Sequence, residues 1–346
     1  MDIKSMTLPE LEEWVVLNKK PKFRGKQIYK WLHEKLVRDV SQMTNLPKDI
    51  QELIVTQGCL SVKERERLIS KVDGTNKFIF ELWDGNIIES VLMKYKHGNS
   101  VCISSQAGCR MGCKFCASTL MGLARNLEPS EMLDQIYYIQ EVTKERVSNV
   151  VIMGTGEPLD NFDNLLRFLT LISHEEGLNI SQRNITVSSC GIVPNIYKLA
   201  DLKLSITFAL SLHAPTDEER RELMPIGNKY SIEETLAACQ YYFDKTGRRI
   251  TFEYSLVMGK NDTKEHALRL AKLIQKMNCH VNLIPINPIK EREYETSDKN
   301  SVENFKYILE KNRINVTIRR GMGSDINAAC GQLRKDYTEN QVTGGN

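Results

Sequence analysis

The chain has 346 residues, room for one large domain and one small one, and its 41% hydrophobic and 26% charged residues are typical of a globular protein. No apolar stretch approaches the ~20 residues that span a bilayer, which excludes a helical membrane protein. The net charge is +3, and the whole excess lies in residues 1–98, where 17 Lys and Arg stand against 14 Asp and Glu.

The beginning of the chain does not read as a targeting segment, because MDIKSMTLPELEEW is acidic and amphipathic. The chain contains nine cysteines without an export signal. We therefore expect a cytoplasmic protein whose cysteines stay reduced and serve metal or redox chemistry.

Residues 1–60 are predicted to form a small helical domain, since apolar residues recur at helical spacing on both sides of a break near Pro21 and Gly25. Basic residues cluster between Lys19 and Trp31 in KKPKFRGKQIYKW. Lys and Arg beside Tyr29 and Trp31 fit RNA binding through phosphate contacts and base stacking. A solvated helix face explains the same pattern equally well.

Residues 61–94 are predicted to form a β-hairpin that leads into the core. A strand, a turn at Asp84 and Gly85, and a second strand follow one another in KFIFELWDGNIIESVLMKY.

From residue 95 to about 325, apolar strands alternate with helical stretches, which predicts parallel strands joined by right-handed crossovers. Six to seven such units indicate an α/β fold, a partial (β/α)6 TIM-like barrel, whose active site gathers at the carboxyl ends of the strands. Residues 326–346 form a C-terminal segment with a polar tail. The predicted strands are VVIMG (150–154), ITVSS (185–189), ITFALSL (206–212), ITFEYSLV (250–257), VNLIPI (281–286) and VTIR (316–319).

Three cysteines lie close together in CRMGCKFC, namely Cys109, Cys113 and Cys116, with the aromatic Phe115 before the last. Thiolates hold iron–sulfur clusters, and a cubane cluster with only three protein ligands keeps one iron open for chemistry. A zinc site with Cys102 or His97 as fourth ligand is an alternative, although no second cysteine pair of the usual zinc spacing is present. Plain cysteines are a further alternative.

Polar residues follow several predicted strands. MGTGEPL places Gly156 and Glu157 after one strand, where glycine allows close backbone approach and the carboxylate suits an ammonium group. A glycine turn that closes a βα unit is the plainer interpretation. Ser188, Ser211 with Leu212 and His213, and Asn287 follow three further strands and together resemble a ligand-binding rim.

Two more cysteines have glycine-rich or strand-end surroundings. Cys330 lies in DINAACGQL, near Gly321, Gly323 and Gly331, and Cys102 precedes the cysteine cluster on its entering strand. Each one alone is more often a buried apolar cysteine than a reactive one.

The cysteine spacing with its aromatic residue resembles the radical S-adenosylmethionine (radical SAM) superfamily. Taken together, CISSQAGC, CKFC, MGTGEPLDN, SLHAP, NLIPINP and DINAACGQL resemble one narrow family within it, the bacterial RNA adenine carbon-2 methyltransferases. The likeness runs from about Lys22 to Leu333 and implies a radical SAM type of barrel. The family modifies adenine 2503 of 23S ribosomal RNA, and many members also modify adenine 37 of transfer RNA.

The resemblance assigns roles residue by residue. It implies that Cys330 is itself methylated, that Cys102 pairs with it transiently, and that Glu89 accepts a proton. From the residues alone, Glu89 is an ordinary strand carboxylate. The cluster ligands match Cys109, Cys113 and Cys116, and the SAM-binding positions match Gly156, Glu157, Ser188, Ser211, Leu212, His213 and Asn287.

The family's chemistry, by resemblance, uses one 4Fe–4S cluster and two SAM molecules per turnover. Carbon 2 of adenine is electron-poor and does not attack a sulfonium methyl group. One SAM methylates Cys330, and the second yields a radical that activates this methyl group for addition to carbon 2. The resemblance implies an RNA substrate whose target adenine is unstacked: protein-free or partly assembled ribosomal RNA, and also transfer RNA. It further implies an electron donor of the flavodoxin or ferredoxin type and no membrane partner.

Two rival functions stay open at this point. The sister enzymes that methylate carbon 8 of the same adenine, and so confer antibiotic resistance, share the cysteines. Pro158 and Pro285 in this sequence look more like the carbon-2 group. A zinc-stabilised RNA-binding protein without catalysis would explain the basic residues but not the GTGEP, SLHAP and AACGQL segments.

Overall fold

The structure is a computed structural model that describes residues 2–96, 98–289 and 291–328. Cys330 and His97 lie outside the described residues, as does the polar tail of the predicted C-terminal segment. None of the helices in these ranges has the length and apolar character needed to cross a membrane.

Three helices form the N-terminal region: α1 (Leu8–Leu17), α2 (Phe23–His33) and α3 (Lys48–Gln57). Thr7 and Glu10 form a capping box that starts α1. The first two helices meet backbone to backbone at Gly25, where a Cβ atom would lie 2.7 Å from the Cα of Glu12. Only glycine allows this approach.

The rest of the described chain alternates strands and helices. The helices that follow are α4 (Pro129–Thr143), α5 (Phe162–Ile172), α6 (Val193–Asp201), α7 (Asp217–Leu223), α8 (Ile232–Thr246), α9 (Lys264–Ile274) and α10 (Lys299–Lys311). The strands are β1 (Lys63–Ile69), β2 (Asn76–Glu81), β3 (Ile87–Tyr95), β4 (Gly98–Cys102), β5 (Gln106–Gly108), β6 (Leu123–Asn126), β7 (Val147–Ile152), β8 (Ile185–Ser189), β9 (Thr207–Ser211), β10 (Ile250–Leu256), β11 (Cys279–Pro285) and β12 (Asn315–Ile318).

Ten strands form one sheet in the order β1-β2-β3-β4-β7-β8-β9-β10-β11-β12. The strands from β4 onward are parallel, and helices cross over between each consecutive pair. This confirms the predicted partial (β/α)6 barrel with a small helical region before it. The predicted hairpin strands are β2 and β3, and they continue the sheet through antiparallel pairing.

The central parallel strands are rich in apolar residues, as expected of strands that helices cover. β8, β9 and β10 contribute fully buried side chains such as Val187, Phe208 and Phe252 to the main core. Their carboxyl ends point toward one edge, where the chain turns polar.

The N-terminal helices are anchored to the barrel through buried polar contacts. Lys4 Nζ lies 2.6 Å from Asp134 of α4, and both side chains are buried. His33 Nδ1 is 2.9 Å from the Tyr137 hydroxyl, and burial lowers the pKa of His33 to about 3. The helical region therefore shares its core with the barrel, so its removal would expose the surface of α4.

Candidate active site at the carboxyl ends of the strands

The three clustered cysteines lie on the loop between β5 and β6. Backbone contacts shape this loop: Cys109 N–H donates to the Gly122 carbonyl at 2.9 Å and Cys116 N–H to the Cys113 carbonyl at 3.2 Å. The Thr119 hydroxyl lies 3.1 Å from the Cys113 carbonyl and 2.9 Å from that of Cys116. The loop thus holds its conformation through its own backbone.

All three cysteines line one cavity of about 1030 Å³, together with most of the predicted SAM-binding residues. The predicted residues on its wall are Cys109, Cys113, Cys116, Gly156, Glu157, Ser188, Ser211, His213 and Asn287. The structure therefore brings together residues from four strand ends and the cysteine loop.

The three thiols suit an iron–sulfur cluster as a donor set. Their cavity wall combines sulfur ligands with a mainly apolar surface, and thiolates are the protein ligands of such clusters. Burial raises the pKa of the Cys109 thiol to about 12 and that of Cys113 well above its ordinary value. Because a ligand must be the thiolate, cluster binding releases protons.

No three His, Cys, Asp or Glu side chains converge on a single metal-ion position anywhere in ranges 2–96, 98–289 and 291–328. Cys102 faces a different pocket from the three clustered cysteines. The arrangement gives no support to the zinc alternative with Cys102 as fourth ligand.

Glycines bring the turn after β7 into backbone contact with its neighbours. A Cβ on Gly154 would lie 2.7 Å from the Ile103 carbonyl oxygen, and one on Gly156, whose φ is +110°, would lie 2.6 Å from the Cβ of Gln106. Gln106 in turn accepts a hydrogen bond of 2.8 Å from the Glu157 N–H. The glycines therefore serve close packing, as the plainer interpretation held, and also place Glu157.

Glu157 is buried at the cavity wall. Its carboxylate accepts hydrogen bonds from the N–H groups of Leu159 at 3.0 Å and Cys190 at 2.7 Å. Burial raises the pKa of Glu157, and the hydrogen bond from Cys190 opposes this effect. A cationic ligand group in the cavity would favour the ionised carboxylate further.

His213 follows β9 with its backbone in the left-handed region, at φ +57°. Its Nδ1 accepts a 2.8 Å hydrogen bond from the Ser255 N–H, which places the ring proton on Nε2. Burial lowers the pKa of His213 to about 3, so the ring is neutral at physiological pH. Phe115 of the cysteine loop packs edge-on against it, with ring centroids 4.9 Å apart. His213 therefore joins the strand ends to the loop.

Leu212 does not share this position. Its side chain is fully buried in the main core, and its N–H donates to the Glu253 carbonyl at 3.0 Å. The Leu212 side chain therefore does not line the cavity, and a contact of Leu212 with a ligand stays a prediction.

Glu253 and Arg319 are cavity residues that the sequence pattern did not single out. Glu253 lies within β10, is 4% exposed, and accepts a 2.8 Å hydrogen bond from Asn282. Burial raises the pKa of Glu253, while the nearby Arg319 opposes this. A lone carboxylate inside the apolar run ITFEYSLV was the available signal.

A second pocket, of about 810 Å³, adjoins the first and shares Met153 and Arg319 with it. Cys102 lines this second pocket, and so does Ala328, where the described part of the C-terminal segment ends. Cys102 and Ala328 thus lie next to the cysteine-loop cavity.

Glu89 of β3 is buried and paired. Lys77 Nζ lies 3.1 Å from Glu89 Oε1, and both side chains are less than 10% exposed. The same Lys77 Nζ donates to the Asn327 carbonyl at 3.2 Å. Glu89 is therefore not the surface carboxylate that its strand position alone indicates, and its partner also holds the C-terminal segment.

The basic N-terminal cluster is largely neutralised by neighbouring carboxylates. Tyr29 is fully buried and so offers no ring to a base, whereas Phe23 is 56% exposed. Trp31 is half-buried and donates to Asn45 at 2.6 Å. The ion pairs are Lys20 with Asp49, Lys22 with Glu12, Lys26 with Glu176, and Lys30 with Glu34 and Glu176.

Comparison with known proteins identifies two matching families. Residues 103–274 match the radical SAM superfamily, and residues 1–58 match the ribosomal RNA large subunit methyltransferase N-terminal domain. A protein of Lachnoclostridium phytofermentans named "Probable dual-specificity RNA methyltransferase RlmN" is 61% identical over 340 residues, which cover 98% of this chain and 96% of that protein. A relative of the same name from Clostridium botulinum is 56% identical and covers 99% of both chains.

Among solved structures, that of a radical SAM methyltransferase from Sphaerobacter thermophilus has a TM-score of 0.92. It is 40% identical, and the match covers 96% of this chain and 99% of that one. Both the barrel and the helical region before it therefore have counterparts in a known structure.

Proposed function

Because the chain belongs to the family of RlmN-type radical SAM RNA methyltransferases, we propose that it methylates carbon 2 of adenine 2503 in 23S ribosomal RNA and of adenine 37 in transfer RNA. The observation that carries this proposal is the adjacency of two pockets. One holds the three clustered cysteines and Glu157, and the other holds Cys102, with Met153 and Arg319 between them.

In the proposed site, Cys109, Cys113 and Cys116 would hold a 4Fe–4S cluster with one open iron. When bound, the cluster and SAM together supply an organic radical that abstracts hydrogen. Glu157, fixed by two backbone N–H groups, would bind the ammonium group of SAM. Ser188, Ser211, His213 and Asn287 line the same cavity and would hold the rest of the cofactor.

Neutral His213 would act as a donor through Nε2, since its Nδ1 already accepts from Ser255. A neutral ring adds no positive charge beside the sulfonium of SAM. Because burial lowers the pKa of His213, the ring stays neutral and does not repel the positive sulfonium of the proposed ligand.

The thiol chemistry is assigned to Cys330 and Cys102. Cys330 would carry the methyl group, taken from the first SAM, and bond through its methylene carbon to carbon 2 of adenine. Glu89 would accept the proton of carbon 2, and the one electron that the adduct must also lose to restore the aromatic ring would return to the cluster. Cys102 would then attack the Cys330 sulfur, so that the sulfur–methylene bond breaks, the methylene carbon takes up a proton, and a disulfide remains.

The setting we propose is the cytoplasm, where thiol reduction can reset that disulfide. A flavodoxin- or ferredoxin-type protein would supply electrons, and two SAM molecules would be used per turnover. Protein-free ribosomal RNA or an assembly intermediate would be the ribosomal substrate, because the target adenine must leave its stack to enter the pocket.

The direct test uses anaerobically purified protein reconstituted with iron and sulfide, then incubated with SAM, dithionite and either protein-free 23S ribosomal RNA or transfer RNA. Digested RNA is compared by mass spectrometry with 2-methyl- and 8-methyladenosine standards. 2-Methyladenosine from both RNAs is expected. 8-Methyladenosine would mean that the enzyme methylates carbon 8 and not carbon 2. If iron-loaded protein forms neither product, the proposal is overturned.

The roles of the thiols have a separate test. Cys102→Ala should trap RNA covalently on Cys330, visible as a nuclease-sensitive band shift on a denaturing gel, whereas Cys330→Ala should abolish both methylation and trapping. Cys279→Ala is the matched control, since Cys279 is buried at the opposite, amino end of β11. Normal turnover by Cys102→Ala would exclude its assigned role.

A further inference from the structure

Arg220 of α7 is a fully buried arginine that the proposed chemistry does not use. Its Nη2 donates a 2.7 Å hydrogen bond to the Cys190 carbonyl. Its Nε and Nη1 have no hydrogen-bond partner within the described ranges. In those same ranges no carboxylate lies within ion-pair distance of the guanidinium. A charged group buried in this way is costly unless negative charge lies nearby.

Helix α7 packs directly against the cysteine loop. Lys114 N–H donates to the Leu223 carbonyl at 2.9 Å, and Cys113 packs with Leu223 and Met224. The turn after α7 reaches the loop as well, because a Cβ on Gly112 would lie 3.3 Å from the ring of Pro225. The backbone that carries Arg220 is thus fixed relative to the predicted cluster ligands.

The guanidinium lies on the protein side of the cavity wall. Arg220 does not line the cavity, while Cys113 and Cys190 do. Its charge interacts electrostatically with both, and also with the Asp217 carboxylate of its own helix and with Cys239. Cys190 is also the residue whose N–H fixes Glu157. Arg220 therefore reaches the site through charge and through the Cys190 backbone, without touching a ligand in the cavity.

We propose that Arg220 is a positioning residue that serves as the fixed counter-charge of the iron–sulfur cluster and makes its reduction easier. This inference rests on the proposed function, because it takes the cluster at Cys109, Cys113 and Cys116 as given. One electron passes from the donor to the oxidised cluster, no proton is transferred, and the cluster becomes more negative by one charge. A buried positive charge stabilises the reduced form more than the oxidised form.

The test compares two variants of Arg220 with a control on the same helix. Arg220→Gln keeps a donor for the Cys190 carbonyl and removes the charge, whereas Arg220→Lys keeps the charge. Arg221→Gln removes a charge one residue away, where the side chain is 45% exposed. The midpoint potential of the reconstituted cluster is measured by redox titration with electron paramagnetic resonance detection.

We expect Arg220→Gln to lower the ratio of reduced to oxidised cluster about tenfold at a fixed potential, which is a shift of 59 mV to a more negative midpoint for one electron. Arg220→Lys and Arg221→Gln should stay near the wild-type midpoint. Equal midpoints in all four proteins, or equal shifts in Arg220→Gln and Arg220→Lys, would overturn the proposal, because charge would then not be the cause.

Thermal unfolding of each protein with and without the cluster distinguishes the proposal from a merely structural role. The gain in melting temperature on cluster loading should shrink in Arg220→Gln. Equal losses in both forms, or an apoprotein of Arg220→Gln that does not fold, would overturn the counter-charge role. Failure of wild-type protein to assemble a 4Fe–4S cluster would instead contradict the proposed function.

Discussion

Replacement of Lys77 by methionine probes the buried ion pair with Glu89. Methionine keeps the volume and the apolar stem of lysine and removes the ammonium group. Glu89 then stays buried without the cation 3.1 Å away, and the Asn327 carbonyl loses its donor. The variant therefore tests whether the pair holds the proposed proton acceptor and the C-terminal segment together.

The expected loss of stability follows from burial and distance. At an effective dielectric constant of 20, two unit charges about 3.1 Å apart attract by about 5 kcal/mol. Removal of one partner from a buried pair typically costs about 3–5 kcal/mol, because the remaining charge is uncompensated. Because Glu89 keeps its other contacts, we expect Lys77→Met to cost up to that amount. The double variant Lys77→Met, Glu89→Gln should recover part of the loss, since glutamine is neutral.

The assay is urea unfolding of the apoprotein, monitored by circular dichroism at neutral pH. The ion pair between Lys94 of β3 and Glu145 is a matched control, since its side chains are 45% and 34% exposed. Lys94→Met should cost no more than about 1 kcal/mol, as is usual for exposed pairs.

A loss below about 1 kcal/mol for Lys77→Met, equal to that of Lys94→Met, would refute the reasoning. It would mean that Glu89 reaches water or another cation. No recovery in the double variant would also refute it, since the loss would then come from packing or from the Asn327 contact.

Three further predictions concern pH, packing and RNA. Burial lowers the pKa of His33 and of His213 to about 3, against 6.5 in the unfolded chain, so the unfolded state binds more protons as pH falls. The free energy of unfolding should therefore be lower at pH 5 than at pH 7 by about 2 kcal/mol for each histidine. His33→Gln should remove about half of this pH-dependent loss. Gly156→Ala should destabilise the protein by about 3 kcal/mol, measured by urea unfolding, because φ is +110° and the new Cβ collides with its neighbour. Because Glu12 and Glu176 pair with these lysines, Lys22→Gln with Lys26→Gln should reduce the slope of log K for 23S ribosomal RNA against log salt by no more than about 1.4, measured by filter binding.

Controls and contrary results are available for each. Gly259 has φ +70° and open space around it, so Gly259→Ala measures backbone strain without a steric collision. Equal losses of stability in Gly156→Ala and Gly259→Ala would contradict the predicted collision at Gly156. Lys311→Gln changes an exposed lysine on α10, and the same slope change there would contradict a specific N-terminal contact. A stability of wild type that does not change between pH 7 and 5 would contradict the burial of both histidines.

Strand positions were predictable because the parallel strands are rich in apolar and β-branched residues and are separated by polar helix starts. β8 coincides with the predicted range 185–189, and the starts and ends of β9, β10 and β12 differ from prediction by one residue at most. The carboxyl-end rule then placed Ser188, Ser211, His213 and Asn287 on one cavity. Residues that the strand topology alone brings together could thus be predicted from the sequence.

The Lys77–Glu89 pair was not predictable, because it depends on strand register. Ile79 lies opposite Glu89 and Lys77 opposite Val91, so the two charges meet diagonally across β2 and β3. A shift of one residue in the hairpin would send Lys77 to the other face. The turn residues Asp84 and Gly85 alone did not determine this register.

Arg220 and Arg221 show a second kind of limit. Both stand in DEERREL, a run typical of a solvated helix, yet Arg220 is fully buried while Arg221 is half exposed. The difference comes from which side of a seven-residue helix packs against the cysteine loop. Such a short helix has too few turns for an apolar stripe to mark its buried side.

The division of the site into two pockets has a chemical consequence. In the proposed reaction, a radical generated beside the cysteine loop would have to reach a methyl group on a thiol without meeting other hydrogen donors. Met153 and Arg319 line both pockets and therefore border the path between them. Arg319 Nη1 lies 3.5 Å from Met153 Sδ, and its N–H donates to the Leu283 carbonyl at 2.8 Å, so this border is fixed to β11. The proposed reaction thus requires the C-terminal segment to present Cys330 at this border. The hydrogen bond from Lys77 to the Asn327 carbonyl holds that segment, so the proposed reaction also depends on Lys77.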